Sequence, residues 1–477
     1  MLATDYFVIL FLLAQLMFLL AAYIFAISGI DDLILDLIFY LGPPSKRGPQ
    51  ANRTQAEYME LCGHPPPAHF AIMLPAWDEA DILYSAVRRM LRNLDYPNYV
   101  IFIGVYPNDP RSIEEAQKLQ SESDRVRVVV TPEPGPTCKA DCLNAIIRGI
   151  GEFEKQTGIR IEGYLMQDAE DVINPEILKI LNAGLTRYPA VQIPVLSLIR
   201  RPSRMVAGHY MDEFAESHSK DMLVRQYLSG SIPGAGVGTC YSRKAIEVAR
   251  TLYGEPFNTS TLTEDYDLAM RLHRHGIDHA VLWIRSEVEG VRTPYAITQE
   301  YFPAGFWQSV RQKTRWTIGI CFQGWQLIGW RGTFMQKFYF WRDRKMIFFS
   351  HGIFLGYVAI TLYAGLWAYH QVDPSGYNFP PLLPLDHPMW WVIWFNVFLF
   401  FHRIIQRHVW TYYHYGGRAT ILALPRYFVA ITINYFAMCR ATKIWFVYLW
   451  NRKPIGWDKT QHEFLEDEEN IDGEVTR

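Results

Sequence analysis

The sequence lacks an excess of charge of either sign. It contains 46 Lys and Arg residues and 48 Asp and Glu residues in a chain of 477. A protein that binds nucleic acid normally carries a strong basic excess, because it must offset the charge of the phosphates. We therefore expect no nucleic-acid partner.

Cysteine is scarce, and its spacing does not suggest a metal site. The six cysteines are scattered, and only Cys138 and Cys142 have the spacing of a ligand pair. A structural zinc site needs four ligands, and no second cysteine pair accompanies this one. We interpret the pair as reduced thiols of a cytosolic domain.

Charged residues are missing from three stretches. Residues 6–30 contain no Asp, Glu, Lys or Arg, and residues 346–369 form a second uncharged run. At about 1.5 Å per residue both exceed the roughly 30 Å hydrocarbon core, so each predicts a transmembrane helix. A third, shorter run at 387–402 can be extended by Arg403, whose side chain can reach the membrane interface. The 15 Trp residues are typical of a chain that meets a membrane.

These runs predict five segments. They are an N-terminal transmembrane helix with an interface helix (1–42), a linker (43–68), a cytoplasmic domain with interface helices (69–330), a membrane region with interfacial helices and two transmembrane helices at about 346–370 and 387–405 (331–460), and an acidic tail (461–477).

The distribution of basic residues predicts the orientation. The loop 371–388 has no Lys or Arg, whereas basic residues precede the second span and follow the third. The positive-inside rule then places this loop outside and the large domain in the cytoplasm. The uncharged stretch 427–439 is too short to span, so we expect it on the inner face.

The large domain alternates predicted strands and helices. Strands are predicted at 70–74, 99–105, 126–130 and 164–167, with helices at 82–94 and 140–150. This order predicts an α/β fold with a doubly wound parallel sheet, in which ligands bind at the carboxyl ends of the strands. Polar residues follow each predicted strand there, namely Asp78, Glu79, Asp109, Lys139, Asp168 and Glu170.

Two of these acids are candidates for a metal site. Asp168 and Glu170 stand at positions i and i+2 after a predicted strand, so they point the same way. They could share a divalent cation, Mg²⁺ or Mn²⁺, with a diphosphate.

A second acidic group opens a predicted helix. Glu264 and Asp265 follow Thr263, a good N-cap residue, and Asp265 suits the role of a base that takes a proton from an attacking hydroxyl. A well-capped surface helix explains these residues equally well when they are considered alone.

The helix predicted at 306–326 and the glycine cluster at 234–238 each allow two interpretations. The aromatic, basic helix predicted at 306–326 could adhere to a membrane surface, or its Arg315 could hold a diphosphate while Trp316 offers a face to a sugar ring. The glycine cluster at 234–238 is more typical of a tight turn than of a phosphate cradle.

Five motifs in order carry a resemblance. They are Pro75-Ala76-Trp77-Asp78-Glu79, Lys139 with Asn144-Ala145, Asp168-Ala169-Glu170, Thr263-Glu264-Asp265 and Gln312-Lys313-Thr314-Arg315-Trp316. Over residues 66–330 the set resembles the inverting, membrane-embedded family 2 glycosyltransferases, relatives of cellulose and hyaluronan synthases. The ending 452–462 resembles the phage-adsorption branch of bacterial inner-membrane glycosyltransferases. The resemblance implies a GT-A nucleotide-sugar-binding domain inserted between transmembrane helices.

The resemblance also implies roles for individual residues. Asp265 would be the general base, with Glu264 beside it. The nucleotide-sugar site would use Asp78, Glu79, Asp109, Lys139 and Asp168; the metal site Asp168 and Glu170; and the site for acceptor and diphosphate Gln312, Arg315 and Trp316. The family's usual Asp-x-Asp is Asp-Ala-Glu here, with Asp171 alongside, so the resemblance leaves open which acid binds metal.

The implied function is that of a hexosyltransferase-type enzyme. It would transfer a hexose or N-acetylhexosamine from a UDP-sugar, with inversion, to a growing cell-surface polysaccharide at the bacterial inner membrane. Single-sugar transfer to a polyprenyl phosphate and a catalytically silent receptor or scaffold are the alternatives. The resemblance is compatible with an outer-membrane or periplasmic export partner and with a cyclic-dinucleotide regulatory domain or partner.

Overall fold

The computed structural model describes residues 2–42, 53–200, 204–288, 293–373, 378–453 and 455–456. The predicted tail at 461–477, most of the 452–462 ending and the first part of the predicted linker, 43–52, lie outside the described residues.

The helices account for most of the described chain. The α-helices are α1 (Leu2–Leu41), α2 (Gln55–Leu61), α3 (Ala80–Asn93), α4 (Pro110–Glu122), α5 (Lys139–Thr157), α6 (Ile177–Leu185), α7 (Val206–Glu216), α8 (Met222–Ser229), α9 (Arg243–Tyr253), α10 (Glu264–Arg274), α11 (Phe306–Thr317), α12 (Gly324–Leu327), α13 (Phe334–Arg344), α14 (Met346–Val372), α15 (Trp390–Thr420) and α16 (Ala423–Asn451). Two π-helical turns, Ser217–Asp221 and Ile318–Gln323, join α7 to α8 and α11 to α12.

The strands are short. They are β1 (Arg53–Thr54), β2 (His69–Pro75), β3 (Tyr99–Val105), β4 (Val126–Val130), β5 (Ile161–Met166), β6 (Val172–Ile173), β7 (Ala190–Gln192), β8 (Val195–Ser197), β9 (Thr239–Ser242), β10 (His279–Val281), β11 (Ile284–Arg285) and β12 (Thr298–Glu300).

A seven-stranded sheet in the order β10-β7-β9-β5-β2-β3-β4 forms the centre of the domain. The predicted strands at 70–74, 99–105, 126–130 and 164–167 are confirmed as β2 to β5. β2 pairs in parallel with both β3 and β5. The predicted α/β fold is therefore confirmed.

The sheet is mixed, so the prediction of a wholly parallel sheet was wrong in one strand. β9 runs antiparallel to both of its neighbours, β5 and β7. The direction of β9 follows from the edge of the sheet at which the chain enters this strand. Gly238 N, just before β9, donates to the carbonyl of Met166 at the end of β5, so β9 begins at the carboxyl edge and must run back into the sheet.

Both faces of the sheet are buried. In β2, Phe70, Ile72 and Leu74 face one apolar cluster, while Ala71 and Met73 face the other. Successive side chains of a strand point to opposite faces. A strand covered on both faces therefore appears in the sequence as an unbroken apolar run.

The first membrane helix is longer than predicted. α1 is one helix over Leu2–Leu41, whereas the sequence predicted a span followed by a separate interface helix. The acids expected to turn the chain along the interface are instead paired. Asp31 lies 2.6 Å from Arg342 and 2.8 Å from Lys345, so the charge is compensated and the helix continues.

Among the residues that the structure describes, two helices are long and apolar enough to cross a membrane, over Tyr6–Leu41 and Met346–Val372. The predicted third span differs. α15 and α16 meet the same requirement only as a pair, bent by 109°. The stretch 427–439, expected to be a short interfacial segment, is part of the 29-residue helix α16.

One buried ion pair explains this difference. Arg426, near the start of α16, is 2% exposed and lies 2.7 Å from Asp212 of α7. The carboxylate compensates a charge that ended the apolar stretch in the sequence. α16 then packs along α11, where Phe306 and Phe436 are in edge contact.

Candidate active site

A cavity of about 310 Å³ lies at the carboxyl edge of the central sheet. The structure brings nine of the eleven predicted site residues to its walls. They are Glu79, Lys139, Asp168, Glu170, Glu264, Asp265, Gln312, Arg315 and Trp316.

The first residue of α5 supplies a positive charge to the cavity. Lys139 Nζ lies 2.6 Å from Asp168 Oδ1 and also donates to the carbonyl of Gly236 at 3.2 Å. Burial alone would lower the pKa of the Lys139 ammonium, but the carboxylates of Asp168, Glu264 and Asp265 raise it above its ordinary value. Lys139 is therefore a permanent positive charge.

The turn after β5 places the three acids of the Asp-Ala-Glu-Asp run in different surroundings. Glu170 is buried and lines the cavity. Asp171 is fully buried outside the cavity lining, and its Oδ2 accepts from the backbone N–H of Asp168 at 2.7 Å. Burial and the neighbouring carboxylates raise the pKa of Asp171 well above its usual range. The geometry thus favours Glu170 over Asp171 as the partner of Asp168 in holding a cation.

The catalytic candidates begin α10. Glu264 is buried, and Asp265 is partly exposed towards the cavity. Thr263 occupies the N-cap position but makes no side-chain capping bond, which differs from the prediction. Its buried hydroxyl has no hydrogen-bond partner among the described residues. The helix start is therefore held by other contacts.

The acids of α10 titrate well above ordinary carboxyls. Burial, followed by the charge of Asp265, raises the pKa of Glu264 to about 7, and Lys139 opposes this rise. Burial likewise raises the pKa of Asp265 to about 6, again opposed by Lys139. A carboxylate with a pKa near the working pH is suited to proton transfer.

The motif predicted for the acceptor side lies on α11 and lines the same cavity as the acids of α10. Gln312 is 7% exposed, and its Oε1 has no hydrogen-bond partner among the described residues, although the side chain lines the cavity. Trp316 makes edge contact with Tyr210 and Phe302. The indole is thus held in one orientation, and the buried amide oxygen of Gln312 is left without a hydrogen-bond partner among the described residues.

Two predicted residues do not line the cavity. Asp109 uses both carboxylate oxygens, accepting from Asp78 N at 2.6 Å and from Ser112 N at 3.2 Å, so it caps α4 and holds the loop after β2. Asp78 is exposed, with a φ of 53°. Asp109 therefore organises the loop that carries Glu79.

Comparisons with known proteins identify the family of the chain. The model of the family described as "Glycosyltransferase like family 2" matches residues 66–319, more than half of the chain. The chain belongs to glycosyltransferase family 2. Its domain has the GT-A-like α/β fold that was predicted, with the antiparallel strand β9 as the difference.

Two curated relatives match most of this family 2 chain. Bacteriophage adsorption protein B of Escherichia coli (strain K12) is 34% identical over 457 residues, which cover 93% of this chain and 61% of the relative. Bacteriophage N4 adsorption protein B of Escherichia coli O157:H7 matches with the same values. The chain thus spans 61% of the length of these relatives.

Solved structures of lower similarity were also found. A mannosyltransferase of Pyrobaculum calidifontis, in complex with GDP-Man and Mn²⁺, is 13% identical with a TM-score of 0.44, over 84% of this chain and 98% of that one. Residues 1–349 of S. aureus TarS in complex with UDP-GlcNAc are 13% identical with a TM-score of 0.33, over 79% and 91%.

Sequence reasoning missed one wall of this glycosyltransferase cavity. The glycine cluster interpreted as a simple turn lies against Asp265. A Cβ at Gly234 would come within 3.0 Å of the Asp265 carbonyl, and one at Gly236 within 3.2 Å of Asp265 Oδ2. Gly236 also has a φ of 80°, which favours glycine. The spacing G-x-G-x-G was the only sequence pattern that pointed to this loop. Its position follows from β9, which comes directly after the loop and runs antiparallel to β5.

Proposed function

We propose that this chain transfers a hexose or N-acetylhexosamine from a UDP-sugar to a hydroxyl of a growing polysaccharide, with inversion. The observation that carries the proposal is the convergence on one cavity of Asp265, with its raised pKa, the Lys139–Asp168 pair and the Arg315–Trp316 motif. The first suits a base, the second a nucleotide site at the strand ends, and the third an acceptor and diphosphate site.

The proposed reaction needs one base. Asp265 accepts the proton of the acceptor hydroxyl, whose oxygen attacks the anomeric carbon. The bond from that carbon to the diphosphate oxygen breaks, and the electron pair leaves with UDP. Attack from the side opposite the leaving diphosphate inverts the anomeric centre. A pKa of about 6 keeps Asp265 ionised at neutral pH while making it a stronger base than an ordinary aspartate.

The residues present fit a divalent cation. Asp168 and the buried Glu170 both line the cavity, and carboxylate oxygens are the ligands that Mg²⁺ and Mn²⁺ prefer. When bound, such an ion neutralises charge on the departing diphosphate. Lys139 adds a fixed positive charge on the same side of the cavity, and the guanidinium of Arg315 can bind phosphate oxygens by two hydrogen bonds.

The acceptor would lie against α11. Trp316 offers an aromatic face on which an apolar sugar face can stack, and Gln312 Oε1 can accept a hydrogen bond from a sugar hydroxyl. Both side chains line the same cavity as Asp265, so an acceptor bound to them would present its hydroxyl within the cavity that holds the base.

We propose the bacterial inner membrane as the location, with this domain in the cytoplasm, where sugar nucleotides are made. The two apolar helices and the basic residues beside α14 and α15 support that orientation. An export partner and regulation by a cyclic dinucleotide are further parts of this proposal. They are not properties of the domain described above, and the relatives are longer than this chain.

Membranes containing the protein test the proposal. UDP-glucose, UDP-galactose and their N-acetylhexosamine counterparts would each be supplied with Mg²⁺ or Mn²⁺, and UDP release and labelled product would be measured. We expect turnover of at least one donor and a labelled polymer. Asp278→Asn is the matched control for Asp265→Asn. Asp278 is exposed, is paired with His273 and does not line the cavity. A labelled polyprenyl lipid as the sole product would favour single-sugar transfer, and no turnover of any donor would contradict the proposal.

A further inference from the structure

The loop that leads to Glu264 and Asp265 is held at its start by an amide side chain. Asn144 of α5 donates to the carbonyl of Phe257 at 2.8 Å and accepts from its N–H at 3.0 Å. Both backbone groups of one residue are thereby satisfied by one buried side chain. The loop from Phe257 to Thr263 is therefore fixed to the helix that carries Lys139.

A second amide holds the same loop at its far end. Gln323, in the π-helical turn after α11, accepts from Leu262 N at 2.9 Å and donates to the carbonyl of Ser260 at 2.9 Å. Thr261 Oγ1 also lies 3.4 Å from Gln323 Oε1. Gln323 is 7% exposed, so water competes little for these bonds.

The same turn contacts the residue before the acids. A Cβ at Gly319 would overlap the side chain of Thr263, and a Cβ at Gly324 would come within 3.3 Å of Tyr266 Cε1. Gly319 lies in the turn and Gly324 is the first residue of α12, so the backbone at these two points packs against the residues on either side of the Glu264–Asp265 pair. This close packing holds the start of α10, which has no side-chain cap.

The π-helical geometry accounts for the reach of Gln323. One extra residue within the turn shifts the side chains that follow it relative to an α-helix, and such turns recur at functional sites. The turn continues directly from α11, which carries Gln312, Arg315 and Trp316. Gln323 thus joins the acceptor-side helix to the loop of the catalytic acids.

We propose that Gln323 is a positioning residue, which sets the separation between Asp265 and the acceptor-side residues of α11 through its bonds to Ser260 and Leu262. The proposal rests on the proposed function for its catalytic consequence, while the clamp itself is a property of the fold. Displacement of a base by about 1 Å can lower a rate about a hundredfold without altering donor binding.

The test replaces Gln323 in the full-length protein, in detergent or membranes. Gln323→Leu keeps the volume of the side chain and removes its hydrogen bonds. Gln323→Glu keeps an acceptor for Leu262 N and loses the donor to Ser260. Asn182→Leu is the matched control, because Asn182 also accepts from one backbone N–H, of Ala68, and donates to backbone carbonyls, but it does not line the cavity.

Two readouts separate positioning from stability. We expect amide hydrogen exchange in residues 257–266 to rise in Gln323→Leu and not in Asn182→Leu. With a donor that the wild type turns over, we expect kcat to fall at least about tenfold while the donor KM stays within about twofold, and Gln323→Glu to recover part of the loss.

The outcomes are distinguishable from failure of the proposed function. Unchanged exchange in residues 257–266, or a kcat no lower than that of Asn182→Leu, would overturn the positioning role. If the wild type turned over no UDP-sugar, the proposed function would fail, and the exchange measurement would still decide whether Gln323 holds the loop.

Discussion

Lys139 Nζ lies 2.6 Å from Asp168 Oδ1, which joins the first residue of α5 to the turn after β5. The pair links two motifs that are 29 positions apart in the sequence. It also places a fixed positive charge beside the acids of α10, where that charge opposes the rise in the pKa of Glu264 and of Asp265.

Lys139→Met should therefore shift the pH dependence of transfer. The proposed reaction requires ionised Asp265, so we expect wild-type activity to fall as the pH drops through about 6. Without the ammonium, the pKa of Asp265 rises further, and the acid limb of kcat/KM moves to higher pH. Lys179→Met is the control, since Lys179 pairs with Asp95 and does not line the cavity. An acid limb at the wild-type pH in Lys139→Met would contradict the proposed coupling.

Asp265→Asn should abolish transfer and leave UDP binding within a few-fold of wild type. A general base matters in the transition state rather than in the donor complex, so the loss should appear in kcat. Turnover of labelled donor and equilibrium binding of UDP measure the two effects. Glu264→Gln provides a comparison, because Glu264 lines the same cavity but is more buried. Loss of UDP affinity equal to the loss of rate would assign Asp265 to donor binding instead.

Glu170→Gln should raise the concentration of Mg²⁺ or Mn²⁺ needed for half-maximal activity. The amide keeps the shape of the side chain but is a poorer ligand for such cations than a carboxylate. Titration of each metal into protein treated with EDTA measures the change. Asp171→Asn should have a smaller effect on this requirement, since Asp171 does not line the cavity. Full activity of the wild type in EDTA would remove the metal from the mechanism.

The central strands β2 and β3 were predictable because burial on both faces leaves an unbroken apolar run in the sequence. β3, for example, is buried at every residue and was predicted with its observed bounds, Tyr99–Val105. The acids at the strand ends followed from the same reasoning. The direction of β9 was not predictable, because it depends on where the chain re-enters the sheet, and no local pattern records that.

Distant charge compensation was equally hidden. Arg426 ended an apolar stretch in the sequence and suggested a short interfacial segment. Its partner Asp212 stands 214 positions earlier, so nothing local to Arg426 could show that its charge is compensated. The positioning contacts of Gln323, 63 residues from Ser260, were missed for the same reason.

The Arg426–Asp212 pair should be strongly coupled. Either Arg426→Met or Asp212→Asn leaves an uncompensated buried group and should destabilise the fold by about 3–5 kcal/mol. The double variant should lose less than the sum of the two, because neither partner is then left alone. Thermal or denaturant unfolding in detergent measures these values. Additive losses would show that the two residues act independently.

The last prediction concerns topology, on which access to cytoplasmic sugar nucleotides depends. The proposal requires the loop before α15 to face outward and the domain to face inward. Asp386 in that loop and Ser121 of α4 are both exposed. Single cysteines at these positions can be introduced after replacing Cys62, Cys138 and Cys439 by serine, since the other three cysteines are buried.

A membrane-impermeant thiol reagent applied to intact cells with a permeable outer membrane should label position 386 alone. Lysis should then expose position 121. The bend between α15 and α16 allows a further measurement at Asn451, the exposed last residue of α16. Because α16 packs along α11 of the catalytic domain, we expect a cysteine at 451 to behave as position 121 does. Labelling of position 451 in intact cells would mean that α16 crosses the membrane. Labelling of position 121 would place the cavity outside the cytoplasm, where the sugar nucleotide is not made.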